Sequence, residues 1–133
     1  MNRARMRWFT TAFSAILVVA LSACKSTPPE REQDDGFKRV NIAAVGALIG
    51  KKIKLDNNYI VLDDDGSFAG SWSGKTIKGV WAMRDNYWCR TLTEFFQANR
   101  VGQEDCQLWE VSGNKLRGTR SKGSGNSFLY TIE

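Results

Sequence analysis

Three groups of residues in this 133-residue sequence have types and spacings that could do chemistry. Residues 69–76, AGSWSGKT, fit a permissive phosphate-binding signature ending in Gly74-Lys75-Thr76. Such a loop needs a strand before the turn and a helix after it, so that backbone amides and the helix end meet the phosphates. Here Thr76 to Trp81 carries β-branched residues and a glycine in alternation, so a hairpin turn is predicted and no nucleotide is expected. Asp63-Asp64-Asp65-Gly66 has calcium-loop residue types. Counted back from Gly66 as the sixth position, however, Val61 stands first and Trp72 twelfth, where acids are required, so this run reads as an Asp-Gly hairpin. Glu94 and Glu104 are carboxylates without a common substrate position, and the chain has no histidine to serve as a base or to complete a two-cysteine zinc site. No catalytic residue, metal or cofactor is expected.

The elements that must position these residues read mainly as β structure. Asn41 to Ile49 is predicted as one short helix, capped by Asn41 and ended by Gly50. Alternation then marks strands at Ile53 to Leu55, Tyr59 to Leu62, Phe68 to Trp72, Ile77 to Met83 and Tyr87 to Arg90. After a polar excursion come Cys106 to Val111, Lys115 to Thr119 and Phe128 to Ile132. Turn residues at intervals of about 8–12 predict a strongly bent antiparallel sheet or small barrel of about six to eight strands. Period two puts Trp72 and Trp81 with Phe68 and Met83 in the core. Trp88, opposite in parity to Tyr87 and Cys89, is the tryptophan expected at an exposed contact, with Arg90 beside it.

The N-terminus carries Arg3, Arg5 and Arg7, then 16 uncharged residues, Trp8 to Ala23. That is a secretory leader, short of the ~20 residues a spanning helix needs. It ends in Leu21-Ser22-Ala23-Cys24, which resembles the lipobox of bacterial lipoproteins. The resemblance implies cleavage before Cys24, lipid on its sulfur and anchoring to a membrane through N-terminal acyl chains. Residues 1–23 are then signal peptide, 24–36 a lipidated, solvated tether and 37–133 the globular β domain. Lys25, where enteric lipoproteins carry Asp for inner-membrane retention, points to the outer membrane and a periplasm-facing domain. Removing three of 19 basic residues leaves 16 against 14 acids, or +2, which argues against nucleic acid as a partner. With Cys24 lipidated, Cys89 and Cys106 remain as a pair in an oxidising compartment, and a disulfide is predicted.

Residues 70–90 with the segment 104–118 resemble small exported bacterial domains to which no activity is assigned. The shared elements are Asp65-Gly66, Gly79-Val80-Trp81, Tyr87-Trp88-Cys89-Arg90, Asp105-Cys106-Gln107 and Gly113. The resemblance implies a fold and transfers no chemistry. A reductase activity would need a dinucleotide glycine fingerprint that is absent here. Gly79-Val80-Trp81 is also similar to the Gly-x-Trp element of lipocalins. There it lies on the first strand and here in mid-domain, which argues against a ligand cavity of that kind.

The expected function is that of a non-catalytic, lipid-anchored envelope protein presenting its β domain to an envelope protein or peptidoglycan. Trp88, Arg90, Arg117 and Arg120 are the expected binding surface. The alternatives are a small-molecule or lipid-binding barrel, or an inhibitor of a hydrolase such as lysozyme. A solid interior would favour surface recognition, and a lined hollow would favour a bound ligand.

Overall fold

The computed structural model describes residues 35–133, and the alternating runs become strands that close on themselves. After β1 (Lys38–Arg39) and α1 (Ile42–Val45) come β2 (Lys52–Leu55), β3 (Asn58–Leu62), β4 (Ser67–Trp72) and β5 (Lys75–Arg84). Then follow β6 (Tyr87–Glu94), β7 (Glu104–Ser112), β8 (Lys115–Thr119) and β9 (Ser127–Ile132). Each strand from β2 onward pairs antiparallel with the next, and β9 returns to β2 through Ile53 opposite Ile132, giving a closed eight-stranded barrel. Closure removes the sheet edges that would otherwise recruit other strands.

Local chemistry explains the meander. Ser73 and Gly74 join β4 to β5 with φ of 53° and 71°, and Asp85 and Asn86 join β5 to β6 with 50° and 59°. Two-residue turns with both φ positive match the twist of the strands they connect. The sheet bends where glycine removes a side chain. A Cβ on Gly79 would lie 2.5 Å from both the Phe68 ring and the Thr91 carbonyl oxygen. At Gly70 it would lie 2.0 Å from the Tyr59 carbonyl oxygen. The register shift between Lys78 and Gly79 adds the local bend that a small barrel requires.

One end of the barrel is filled. Phe68, Trp88, Trp109, Ile53, Leu62 and Leu116 are buried there, and Trp88 stacks on Trp109 with ring centroids 4.1 Å apart. Val40, Val45 and Leu48 join the same core, so the segment carrying α1 packs into it. The Asn41 Oδ1 accepts a hydrogen bond from the Ala44 amide at 2.8 Å, the capping expected of it. The helix is shorter than residues 41–49: at Gly46 the chain tightens into a 3-10 turn, Gly46–Leu48. A glycine of low helix propensity and a short last turn account for the change.

β1 was not legible as a strand. It borders β7 at Glu110 and Val111, and the Val40 amide donates to the Trp109 carbonyl at 2.8 Å. It thereby continues the line that β6 occupies further along β7.

Candidate ligand site at the open end of the barrel

The strand parity that buries Trp88 carries two further residues of β6, Arg90 and Leu92, into the same interior, because side chains two apart share a face. On β7 the inward set is Asp105, Gln107 and Trp109. At the opposite end from α1, where β4 ends and β5, β7 and β9 begin, the core continues through the buried Ile77, Leu92 and Gln107 and gives way to an open-mouthed cavity. A cavity of about 230 Å³ is lined by Trp72, Ile77, Leu92, Phe95, Phe128 and Tyr130 together with Arg90, Arg100, Gln107 and Arg120. A wider polar cavity of about 420 Å³ shares Arg90, Leu92, Arg100 and Arg120 with it and extends past Asp105 toward Ser121 and Asn126. The sequence leaves open whether the interior is solid or lined, and the structure places a cavity at this end. Gly79-Val80-Trp81 bends the wall around Phe68 and leaves the far end of the interior open.

A polar relay runs from the core to this opening. The Trp109 Nε1 donates to Gln107 Oε1 at 3.1 Å, and the Gln107 Nε2 donates to Asp105 Oδ2 at 2.8 Å. The Arg120 Nε donates to the same carboxylate oxygen at 3.1 Å. Burial opposes ionisation of Asp105, but hydrogen bonds from Gln107 and Arg120 and the charges of Arg120 and Arg90 outweigh it, holding its carboxyl below the ordinary range. Burial pushes the Tyr130 phenol above its ordinary value against the pull of Arg90 and Arg120.

Arg90 is the least satisfied member. Its side chain is 15% exposed, its Nη2 lies 4.0 Å from Asp105, and its Nε is buried with no hydrogen-bond partner among the described residues. Burial lowers its pKa from the ordinary value, and Asp105 offsets only part of that; a guanidinium stays charged in proteins regardless. Arg100 reaches the opening from the segment between β6 and β7. The 3-10 turn Ala98–Arg100 and the parallel bridge of Val101 to Leu92 fold that segment back, and the Arg100 guanidinium lies 5.9 Å from the Phe95 ring centroid.

The four residues expected as a binding surface separate. Arg90 and Arg120 converge on Asp105 at the opening. Trp88 is 1% exposed and stacked in the core, so its expected outward placement is corrected. The reason is that β6 puts Tyr87 and Cys89 on the outer face and turns Trp88 inward. Arg117 stands on the outer wall, bonded to Glu110 at 2.9 Å and to Asp35, with its guanidinium 4.3 Å from the Phe37 ring centroid. There it ties the segment before β1 to β8. Cys89 and Cys106 lie opposite each other on β6 and β7 and are joined by the predicted disulfide. Cys24 lies outside the described residues.

Trp72 and Trp81, expected in the core, are partly buried against it, and the Trp81 indole donates to the Ser67 carbonyl at 2.9 Å. Gly74-Lys75-Thr76 is a turn leading into β5 with no helix after it, and the Asp65 carboxylate accepts from the Ser67 amide at 2.8 Å inside the β3–β4 hairpin. Asp105, Gln107 and Tyr130 were not singled out as site residues, although parity with Trp109 and Phe128 carried the signal. Arg100 lies in a segment without periodicity and left none. Comparison with protein-family models, with curated proteins and with solved structures found no match.

Proposed function

We propose that this protein is a lipid-anchored component of the bacterial envelope whose barrel holds a small ligand at its open end without transforming it. The observation that carries the reading is the open-mouthed cavity beyond the core, where Trp72, Ile77, Leu92, Phe95, Phe128 and Tyr130 share the lining with Arg90, Arg100, Gln107 and Arg120. Binding pockets have that composition. A filled interior would have favoured recognition by the outer surface instead.

The chemistry of the opening supports binding over catalysis. General acid–base work at neutral pH needs a group that titrates near neutrality. Asp105 is held below the ordinary carboxyl range, Tyr130 is pushed above its own, and the arginines stay charged. The leader and the Leu21-Ser22-Ala23-Cys24 sequence support anchoring, and the polar run after Cys24 supplies a tether that meets the barrel where Asp35 bonds Arg117.

Mass spectrometry of the full-length protein extracted from bacterial membranes tests both halves. Under denaturing conditions the expected mass begins at Cys24 and includes acyl chains; an intact residue 1 with no added lipid would overturn the anchoring. Under native conditions a small molecule is expected to travel with the protein and leave on unfolding. A ligand-free spectrum, together with no melting shift across a library of small anions and neutral apolar molecules, would overturn the binding role.

A further inference from the structure

We infer that the ligand is a small oxyanion, carboxylate or phosphate, on a compact apolar body, with its anionic group received by Arg90. The inference rests on the ligand-binding reading above and assigns its chemistry.

Charge balance comes first. The opening holds the guanidinium groups of Arg90, Arg100 and Arg120 against the carboxylates of Asp105 and Glu104. Glu104 is engaged by Arg84. Asp105 is engaged by Gln107 and Arg120. Arg90 and Arg100 make no hydrogen bond to a carboxylate among the described residues, so positive charge is left facing the cavity.

Hydrogen-bond accounting points the same way. Buried polar atoms in folded proteins nearly always have partners, and one left bare costs more than a bond gained. The Arg90 Nε is such an atom, and 4.0 Å to Asp105 exceeds the ~3.2 Å limit of a direct N–H to oxygen bond. Its charge helps keep Asp105 ionised, but that pairing leaves the Nε without a bond among the described residues and burial of the guanidinium only partly compensated. An oxyanion supplies what is missing, since the planar guanidinium fork matches carboxylate or phosphate oxygens in pairs.

The walls define the rest of the ligand. Trp72, Ile77, Phe95 and Phe128 offer aromatic and aliphatic faces to a body beside the anion. The inner volume of about 230 Å³ falls below the roughly 300–1,000 Å³ of pockets for drug-sized molecules, so the body is compact, of the order of one aromatic ring.

The test is calorimetric titration of the full-length protein, stripped of ligand by unfolding and refolding with its disulfide intact. Benzoate and phenyl phosphate are the charged probes, benzamide and benzyl alcohol the neutral ones, and acetate and inorganic phosphate the heads without a body. At least one charged aromatic probe is expected to bind about tenfold or more tighter than its neutral counterpart and its bare head. The stronger of the two tells carboxylate from phosphate. Arg90→Met is expected to remove the preference for charge. Arg100→Ala, at the rim, is expected to weaken charged probes severalfold and serves if Arg90→Met fails to refold. Equal binding of charged and neutral probes, or a preference unchanged in both variants, overturns the anion assignment while leaving a ligand-binding barrel. A neutral molecule in the native mass spectrum does the same. Absence of any binding, with no ligand in that spectrum, overturns both.

Discussion

At one end of the barrel Trp88 stacks on Trp109 and Phe68 leans against Trp88 at 5.9 Å; two residues along β6, Arg90 faces a hollow. The same two strands, in the same register, build both ends. Backbone geometry is therefore not what separates a core from a site here. The difference is side-chain volume and polarity at successive inward positions: Trp88, Arg90 and Leu92 on β6, and Trp109, Gln107 and Asp105 on β7.

The comparison breaks most sharply at Trp88. Trp88→Ala removes a large side chain from a closed core and is expected to cost about 3–5 kcal/mol of stability, read from the urea midpoint. A loss below about 1 kcal/mol would mean that this end is loosely packed and the contrast between the ends false. The disulfide is next. Cys89 and Cys106 are 17 positions apart, and closing such a loop contributes about 3 kcal/mol in the chain-entropy model. Each flanks a residue of the open end, Arg90 and Asp105. The double change to serine is therefore expected to lower both the melting temperature and ligand affinity. Unchanged affinity in a folded double variant would show that the staple serves the fold alone.

Much of this was legible because period two in a half-buried strand is nearly deterministic. All eight barrel strands overlap runs that alternation, β-branched content or flanking turns marked as strands, and Lys115–Thr119 matches to the residue. The two-residue turns were marked by Asp, Asn and Gly. What failed was the assignment of faces on β6. Alternation says that Trp88 and Cys89 point to opposite sides, and only closure of the sheet says which side is inside. The site was half visible for the same reason. Arg90 and Arg120 are legible as charges in polar or turn-rich stretches, whereas Asp105 and Gln107 flank Cys106 and face inward only once β7 joins the closed sheet. Arg100 could not be foreseen, since a segment without periodicity carries no pattern of where it folds back.

Replacing Arg90 by Met sharpens the contrast from the other side. Removing one member of a buried ion pair is costly when its partner is left bare, but Asp105 keeps its bonds from Arg120 and Gln107, and losing the desolvated guanidinium offsets the lost attraction. The melting temperature of ligand-free Arg90→Met protein is expected to equal or exceed that of the parent. A loss as large as that of Trp88→Ala would make Arg90 part of the core and remove its reason to await a ligand.

The smallest effect concerns acid. The residues that fill the closed end are apolar and do not titrate, whereas Asp105 at the open end does. Its folded carboxyl lies below the ordinary value of 3.8, so the stability it contributes is fully present above that value and is lost as pH falls through the depressed one. Asp35 and Asp65 are lowered too, by bonds to Arg117 and Ser67, and share the same window on the outer surface. Subtraction isolates the open end. The difference in urea midpoint between parent and Asp105→Asn is expected to be small and constant from pH 7 to about 4, and to vanish at lower pH as Asp105 takes up its proton. Because the carboxylate is partly solvated, screening keeps that difference below what a fully buried pair would show. A difference that persists undiminished to pH 2 would mean that Asp105 never depended on its charge, and that the arginines around it are balanced by something else.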